Sequence, residues 1–104
     1  MIRRSKYNNK QTREDNITFD SLKELRRYRE LKLLLKADHI WDLEVHRRFP
    51  IEIYDQLICA YEADFTYNTR DGFIVEDCKG VKTPLYRLKK KLMKAIHGID
   101  ILET

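Results

Sequence analysis

Residues 73–79, Phe-Ile-Val-Glu-Asp-Cys-Lys, constrain the fold more than any other segment of this chain. The residue types are typical of a β-strand, and alternating side chains would put apolar groups on both faces. A strand that is apolar on both faces belongs in the middle of a sheet covered on both sides. The segment therefore predicts an α/β domain in which helices pack against a central sheet.

The length and composition of the chain limit what surrounds that strand. The chain has 104 residues, enough for one sheet and two or three helices but not for a second domain. Charged residues make up 37% and hydrophobic residues 42%, which indicates a globular rather than a disordered protein. No apolar run approaches the roughly 20 residues of a membrane span, and no secretory signal is recognised. We expect a cytoplasmic protein without membrane contact.

Changes in apolar periodicity predict the order of the elements. The predicted elements are a helix over residues 21–37, strands over 40–45, 56–67 and 73–79, a helix from Lys82 or Thr83 to Gly98, and a strand over 99–102. The order is αβββαβ, and the last two strands should be joined by a right-handed parallel crossover. The predicted fold is a mixed β-sheet flanked by helices.

The sequence also predicts the character of the N-terminal segment and the buried face of the second helix. Residues 1–17 are polar and basic and predict an N-terminal arm, which leaves residues 18–104 as a single domain. The second helix should bury one apolar stripe against the sheet. That stripe consists of Leu85, Leu88, Leu92, Ala95 and Ile96.

Basic residues are clustered in the arm, after the first strand and along the second helix, and the formal net charge is +4. Basic clusters around an acidic centre are typical of proteins that act on a polyphosphate backbone. The alternative is a set of solvated helix faces and a polar tail. The candidate DNA-binding residues are Lys6, Lys10, Arg47, Lys82, Lys89 and Lys91.

Two acids and a lysine on neighbouring strands form the candidate site. Asp64 lies on the strand before a predicted hairpin turn at residues 68–72, and Asp77 and Lys79 share one face of the strand after it. Two carboxylates at one site repel each other unless a cation lies between them. Oxygen ligands without a neighbouring cysteine or histidine favour Mg²⁺ or Mn²⁺. The alternative is a structural Asp77–Lys79 ion pair at the end of a strand.

Three other acids are weighed for the same site. Glu24 can project a third carboxylate from the first helix, or it can cap that helix together with Ser21. Glu76 also precedes Lys79, but alternation places it on the opposite face, which favours Asp77. Glu62 shares a face with Asp64 and can assist it, or it can be a solvated residue at the end of a strand.

Three motifs together resemble a known enzyme superfamily. They are Phe19-Asp20-Ser21-Leu22-Lys23-Glu24, Tyr61-Glu62-Ala63-Asp64-Phe65 and Val75-Glu76-Asp77-Cys78-Lys79-Gly80. They are similar to the ordered motifs of the PD-(D/E)XK nuclease superfamily, which has the restriction-endonuclease-like fold. More narrowly, the chain resembles a family of small phage-encoded proteins of poorly defined function. The resemblance covers nearly the whole chain, although Ala63 stands where the motif has a proline.

The resemblance implies a site and an activity. By position, Glu24, Asp64 and Asp77 correspond to the metal-binding acids, and Lys79 corresponds to the lysine that positions the attacking water. The implied function is a Mg²⁺-dependent DNA endonuclease. Because so small a protein has no obvious sequence-reading domain, we expect it to recognise branched DNA such as Holliday junctions, and the superfamily's junction-resolving members act as homodimers. The alternative is a non-catalytic module that binds DNA or a protein partner through the same fold.

Overall fold

The structure, a computed structural model, describes residues 11–104. Residues 1–10 of the predicted arm lie outside this range, and they include the candidate residues Lys6 and Lys10. The described elements, in chain order, are β1 (Thr12–Glu14), β2 (Ile17–Phe19), α1 (Leu22–Lys36), β3 (Trp41–Val45), β4 (Arg48–Ile53), β5 (Gln56–Glu62), β6 (Phe65–Thr69), β7 (Gly72–Asp77), α2 (Pro84–His97) and β8 (Leu102–Glu103).

The main sheet has four strands in the order β3-β6-β7-β8. β7 pairs antiparallel with β6 and parallel with β8, so the sheet is mixed and β7 is an interior strand. The prediction of an α/β fold with a mixed sheet and two helices is confirmed. Val75 and Glu76 in β7 are 1% and 0% exposed, consistent with cover on both faces of this strand.

Both helices begin and end where their capping residues predict. Ser21 accepts a hydrogen bond from the Glu24 backbone N–H over 3.1 Å, and Thr83 accepts one from the Tyr86 N–H over 3.1 Å. Gly98 ends α2 with a φ of 68°, the left-handed conformation that favours glycine. These local signals fix the bounds of the helices, but they do not fix which face of each helix is buried.

The predicted strand over residues 56–67 is broken, which is a correction. It divides into β5 and β6 at Ala63 and Asp64, and the opposite arm divides into β3 and β4 at His46, whose φ is 59°. Backbone bonds from His46 N–H to Asp64 O (3.1 Å) and from Ala63 N–H to Arg47 O (2.9 Å) join the two arms across the break. The chain therefore forms one long bent hairpin, and its outer half, β4 and β5, is a separate two-stranded sheet.

Residues 12–17, assigned by sequence to the N-terminal arm, contribute to a hairpin. β1 and β2 pair antiparallel, and this hairpin packs on α1. Phe19 is completely buried and anchors the hairpin against Tyr28, with ring centroids 5.0 Å apart. Arg29 and Glu14 add an ion pair of 2.7 Å.

Two apolar clusters form the core. The cluster beside α1 contains Phe19, Leu25, Tyr28, Leu31, Ile40, Phe65 and Tyr67. The cluster beside α2 contains Phe49, Ile51, Tyr61, Ala63, Val75, Tyr86, Met93 and Ile101. No helix in residues 11–104 has the length and apolar character needed to cross a membrane.

The predicted buried stripe of α2 is wrong except at Leu92, which is half-buried and packs against the core cluster. Tyr86 and Met93 are the residues of this helix that are buried, whereas Leu85 and Leu88 are 59% and 53% exposed. The rotation of α2 is set by contacts distant in sequence, since Tyr86 donates a hydrogen bond to Glu103 (2.7 Å) and His97 donates one to the Pro50 carbonyl (2.8 Å). Leu85 and Leu88 consequently remain exposed on the surface of α2.

Candidate metal centre

The candidate site lies where the bent hairpin meets the start of α1 and the end of β7. Glu24 is in the first turn of α1 and is 4% exposed, and Asp77 is the last residue of β7 and is 2% exposed. Asp64 is half-buried in the break between β5 and β6. The fold thus brings three acids together that are distant in sequence.

A histidine completes the most compact group of donor atoms. One ligand atom from each of Glu24, His46 and Asp64 lies within 4.8 Å of the other two. The His46 Nε2 and Glu24 Oε1 atoms are 2.8 Å apart. Two carboxylates and an imidazole are oxygen and nitrogen donors that suit a divalent cation. Asp77 is outside this trio, although it lies close enough to Asp64 to affect its ionisation.

The electrostatics of Asp64 reflect the crowding of negative charge. Burial, together with the neighbouring carboxylates of Asp77 and Glu24, raises the pKa of Asp64 to about 8. The backbone N–H of Cys78 opposes this shift by donating a hydrogen bond of 2.7 Å to Asp64 Oδ2. Burial also raises the pKa of Glu24, and His46 partly offsets that effect.

Asp77 and Lys79 form an ion pair near the Glu24–His46–Asp64 trio. Lys79 Nζ is 3.2 Å from Asp77 Oδ1 and 4.2 Å from the centre of the Tyr86 ring. The Tyr61 hydroxyl donates a hydrogen bond of 2.5 Å to Asp77 Oδ2. Burial and Asp77 raise the pKa of Tyr61, so this phenol stays protonated and remains a donor. The ion pair weighed as the alternative is present, and it positions the ammonium next to the acids.

The alternates Glu76 and Glu62 are placed differently. Glu76 is fully buried and accepts hydrogen bonds from Arg27 Nε (2.7 Å) and Nη2 (2.9 Å) and from the Tyr67 hydroxyl (2.6 Å). Its carboxylate is occupied by structural partners, as expected for the face opposite Lys79. Glu62 is exposed at the end of β5.

His46 is the member of the trio that the sequence analysis did not select. In the sequence it is followed by Arg47 and Arg48, in the basic cluster after the first predicted strand, and the expected ligands there are oxygens without a histidine. The sequence signal that could have identified His46 is its position directly after a predicted strand. That signal is weak, because a histidine at such a position can have many structural roles. Its position depends on the backbone break, where a φ of 59° turns the chain and brings the ring to Glu24.

The candidate DNA-binding residues within residues 11–104 lie in the bent hairpin, before α2 and on α2. Arg47 stacks on Phe49 and Phe73, 5.0 and 5.5 Å from their ring centres. Lys82 pairs with Glu103 at 3.0 Å. Lys89 is half-buried and Lys91 is exposed, both on α2.

Comparison with known proteins gives one match. A family model described as "Protein of unknown function (DUF1064)" matches residues 4–98. No curated protein and no solved structure matches the chain.

Proposed function

The chain belongs to the DUF1064 family, and we propose that it is a metal-dependent endonuclease that hydrolyses phosphodiester bonds in DNA. The observation that carries the proposal is the convergence of Glu24, Asp64 and Asp77 beside Lys79. A domain of this size has little reason to bury several like charges together unless a cation is bound among them.

The pKa of Asp64 is the clearest sign of that requirement. A carboxyl whose pKa is about 8 in the metal-free chain repels two neighbouring acids whenever it ionises. A divalent cation removes the repulsion and keeps Asp64 charged at neutral pH. Perturbed acids of this kind are concentrated at functional sites.

The donor set decides which cation fits. Glu24, His46 and Asp64 would hold the ion, with Asp77 beside it. Carboxylate oxygens suit Mg²⁺ and Mn²⁺, and an imidazole ligand favours Mn²⁺ over Mg²⁺. We therefore propose Mg²⁺ or Mn²⁺ as the cofactor, with Mn²⁺ bound more tightly.

The residues around the ion support a hydrolytic role. When bound, the cation supplies Lewis-acid chemistry, polarising a phosphate oxygen and favouring ionisation of a nearby water. Lys79 is held by Asp77 and by the Tyr86 ring, so its ammonium can donate a hydrogen bond to the water or to the phosphate. Tyr61 fixes the orientation of Asp77 by donating to its second oxygen.

The arrangement of the elements supports the narrower assignment. Without the two small sheets, the chain runs α1, β3, β6, β7, α2, β8, which is the αβββαβ order expected for the restriction-endonuclease-like core of the PD-(D/E)XK superfamily. We propose branched DNA such as a Holliday junction as the substrate, because residues 11–104 contain no separate part that could recognise a base sequence. Cleavage would occur in the cytoplasm, that of a bacterial host if the chain is phage-encoded.

A cleavage assay tests the proposal. Purified protein with Mn²⁺ or Mg²⁺ should cut branched, single-stranded or duplex DNA and should lose activity in EDTA. Asp77→Asn and Lys79→Gln should each lower the rate by about 100-fold or more. The exposed Asp71→Asn and Lys36→Gln match these charge changes and should keep full activity. Absence of cleavage on all three substrates would refute the endonuclease assignment.

A non-catalytic DNA- or partner-binding module on the same fold is the second candidate. The observation that favours it is the completeness of the Asp77 contacts, because both of its oxygens have partners within the chain. Calorimetry separates the two functions. Micromolar binding of Mn²⁺ that is lost in Asp64→Asn supports the nuclease, and no metal binding together with salt-sensitive DNA binding supports the module.

A second copy of the chain is a further proposed partner. Junction cleavage requires two sites acting on two strands, which the resemblance assigns to a dimer. The exposed Leu85 and Leu88 on α2 support self-association, because contiguous exposed apolar residues are costly in a monomer. Sedimentation equilibrium should give a dimer mass, and a monomer at all concentrations would contradict this part of the proposal.

A further inference from the structure

We propose that a basic groove between α2 and β8, called here the α2 groove, binds the phosphate backbone of duplex DNA and leads it to the candidate metal centre. This inference rests on the proposed function, whose substrate path it specifies. The groove has a volume of about 580 Å³. Its charged lining residues are the cations Lys82, Arg87, Lys90, Lys91 and Lys94 and the acids Asp100 and Glu103.

The cations of the α2 groove form a continuous row. Arg87, Lys90, Lys91 and Lys94 are spaced three or four residues apart, so they share one face of α2. From Arg87 to Lys94 the helix rises about 10 Å, close to the rise of about three base pairs along duplex DNA. The row therefore matches the spacing of several consecutive phosphates.

Contacts within the chain neutralise only part of this charge. Glu103 accepts from the Tyr86 hydroxyl (2.7 Å), from Lys82 (3.0 Å) and from Lys90 (3.2 Å), and Asp100 pairs with Lys94 at 2.8 Å. Tyr86 and Lys82 lower the pKa of Glu103 to about 2, so it stays charged at neutral pH. Within residues 11–104, Arg87 and Lys91 have no ion-pair partner. These two side chains are the ones available to an external anion.

One side chain connects the groove with the candidate metal centre. Tyr86 lines the groove, and its ring supports the ammonium of Lys79, which in turn contacts Asp77. A strand whose phosphates lie along Arg87 and Lys91 would therefore pass beside the residue that supports Lys79. The exposed leucines of α2 lie on a different side of the helix, so the groove is independent of the proposed dimer contact.

The test measures DNA binding in EDTA, where cleavage does not occur. Arg87→Gln/Lys91→Gln is compared with Lys36→Gln/Arg70→Gln, which removes the same charge from exposed sites that likewise have no ion pair among residues 11–104. Fluorescence anisotropy with duplex and branched DNA gives the Kd over a range of salt. Loss of two phosphate contacts should lower the slope of log K against log salt by about 1.8. From about 50 to about 200 mM salt, the salt-induced loss of affinity should then shrink by roughly 12-fold.

The outcomes are distinct. A reduced slope in the groove variant alone supports the α2 groove. An equal reduction of the slope in both variants would overturn the proposal in favour of diffuse electrostatic attraction. An unchanged slope in both variants would overturn it in favour of another DNA-binding surface. Failure of the endonuclease proposal would look different, because DNA would bind through the groove but remain uncut when Mn²⁺ is added.

Discussion

At the scale of single residues, two adjacent acids in β7 have different roles. Glu76 and Asp77 are adjacent and both are buried, but they face opposite sides of β7. Glu76 is matched by a guanidinium and a phenol, whereas Asp77 is placed beside Asp64 and Lys79. Alternation along the strand thus separates a structural acid from a candidate functional one.

Glu76→Ala should destabilise the fold by about 3 kcal/mol, because it removes the buried carboxylate that accepts from Arg27 Nε and from the Tyr67 hydroxyl. Urea unfolding measures the change. Glu30→Ala is the matched control, since Glu30 also pairs with Arg27 (3.0 Å) but is exposed. Its cost should stay below about 1 kcal/mol. Equal costs for the two variants would contradict the structural role of Glu76.

Asp64 should make the metal-free protein less stable as the pH rises. Its pKa is raised from 3.8 to about 8 in the folded state, so between these values the native state binds more protons than the unfolded state. Stability therefore falls from about pH 4 to about pH 8 and is level above that. Asp64→Asn should remove most of this decline. Urea unfolding in EDTA at several pH values measures it, and an identical decline in the variant would refute the assignment.

At the scale of elements, the ends of a helix depend on nearby residues, whereas its buried face depends on contacts that are distant in sequence. The caps of α1 and α2 match the predicted positions because a cap depends on a few adjacent residues. The break between β5 and β6 and the rotation of α2 were not predicted. Both depend on contacts such as His46 with Asp64 and His97 with Pro50, which are distant in sequence.

Gly98→Ala should cost about 1 kcal/mol, because its φ of 68° is strained for any residue with a Cβ atom. Thermal unfolding followed by circular dichroism measures the loss. Gly80→Ala serves as the control, since a Cβ atom would meet nothing within 4 Å at either glycine, but the φ of Gly80 lies outside the left-handed region. Its effect should stay within about 0.5 kcal/mol. A larger cost at Gly80 would show that the cap conformation is not the cause.

At the scale of the whole molecule, the candidate metal centre joins parts of the chain that are far apart. Glu24, His46 and Asp64 come from α1 and from the two arms of the bent hairpin. An ion held by all three would link the packing around α1 to the outer β4–β5 sheet. Ligand binding at such a site should therefore stabilise the entire fold.

Mn²⁺ at about 100 times its Kd should raise the free energy of unfolding by about 2.7 kcal/mol. Chemical unfolding with and without the metal measures the shift. His46→Ala should reduce the shift by weakening metal binding. His39→Ala, at an exposed histidine, should leave it unchanged. An equal Mn²⁺ shift in the His46 and His39 variants would exclude His46 as a ligand.

The sequence by itself determined the interior strand, the helix caps, the mixed α/β class and the acids Glu24, Asp64 and Asp77 as candidates. These depend on local periodicity and on residue chemistry, which are readable from neighbouring positions. Only the tertiary structure decided that His46 lies beside Glu24, that α2 buries Tyr86 and Met93 and exposes Leu85 and Leu88, and that a basic groove adjoins Lys79. Those features depend on how the hairpin bends and on which side of each helix meets the sheet. Both are set by packing between distant segments, and a single sequence does not reveal that packing.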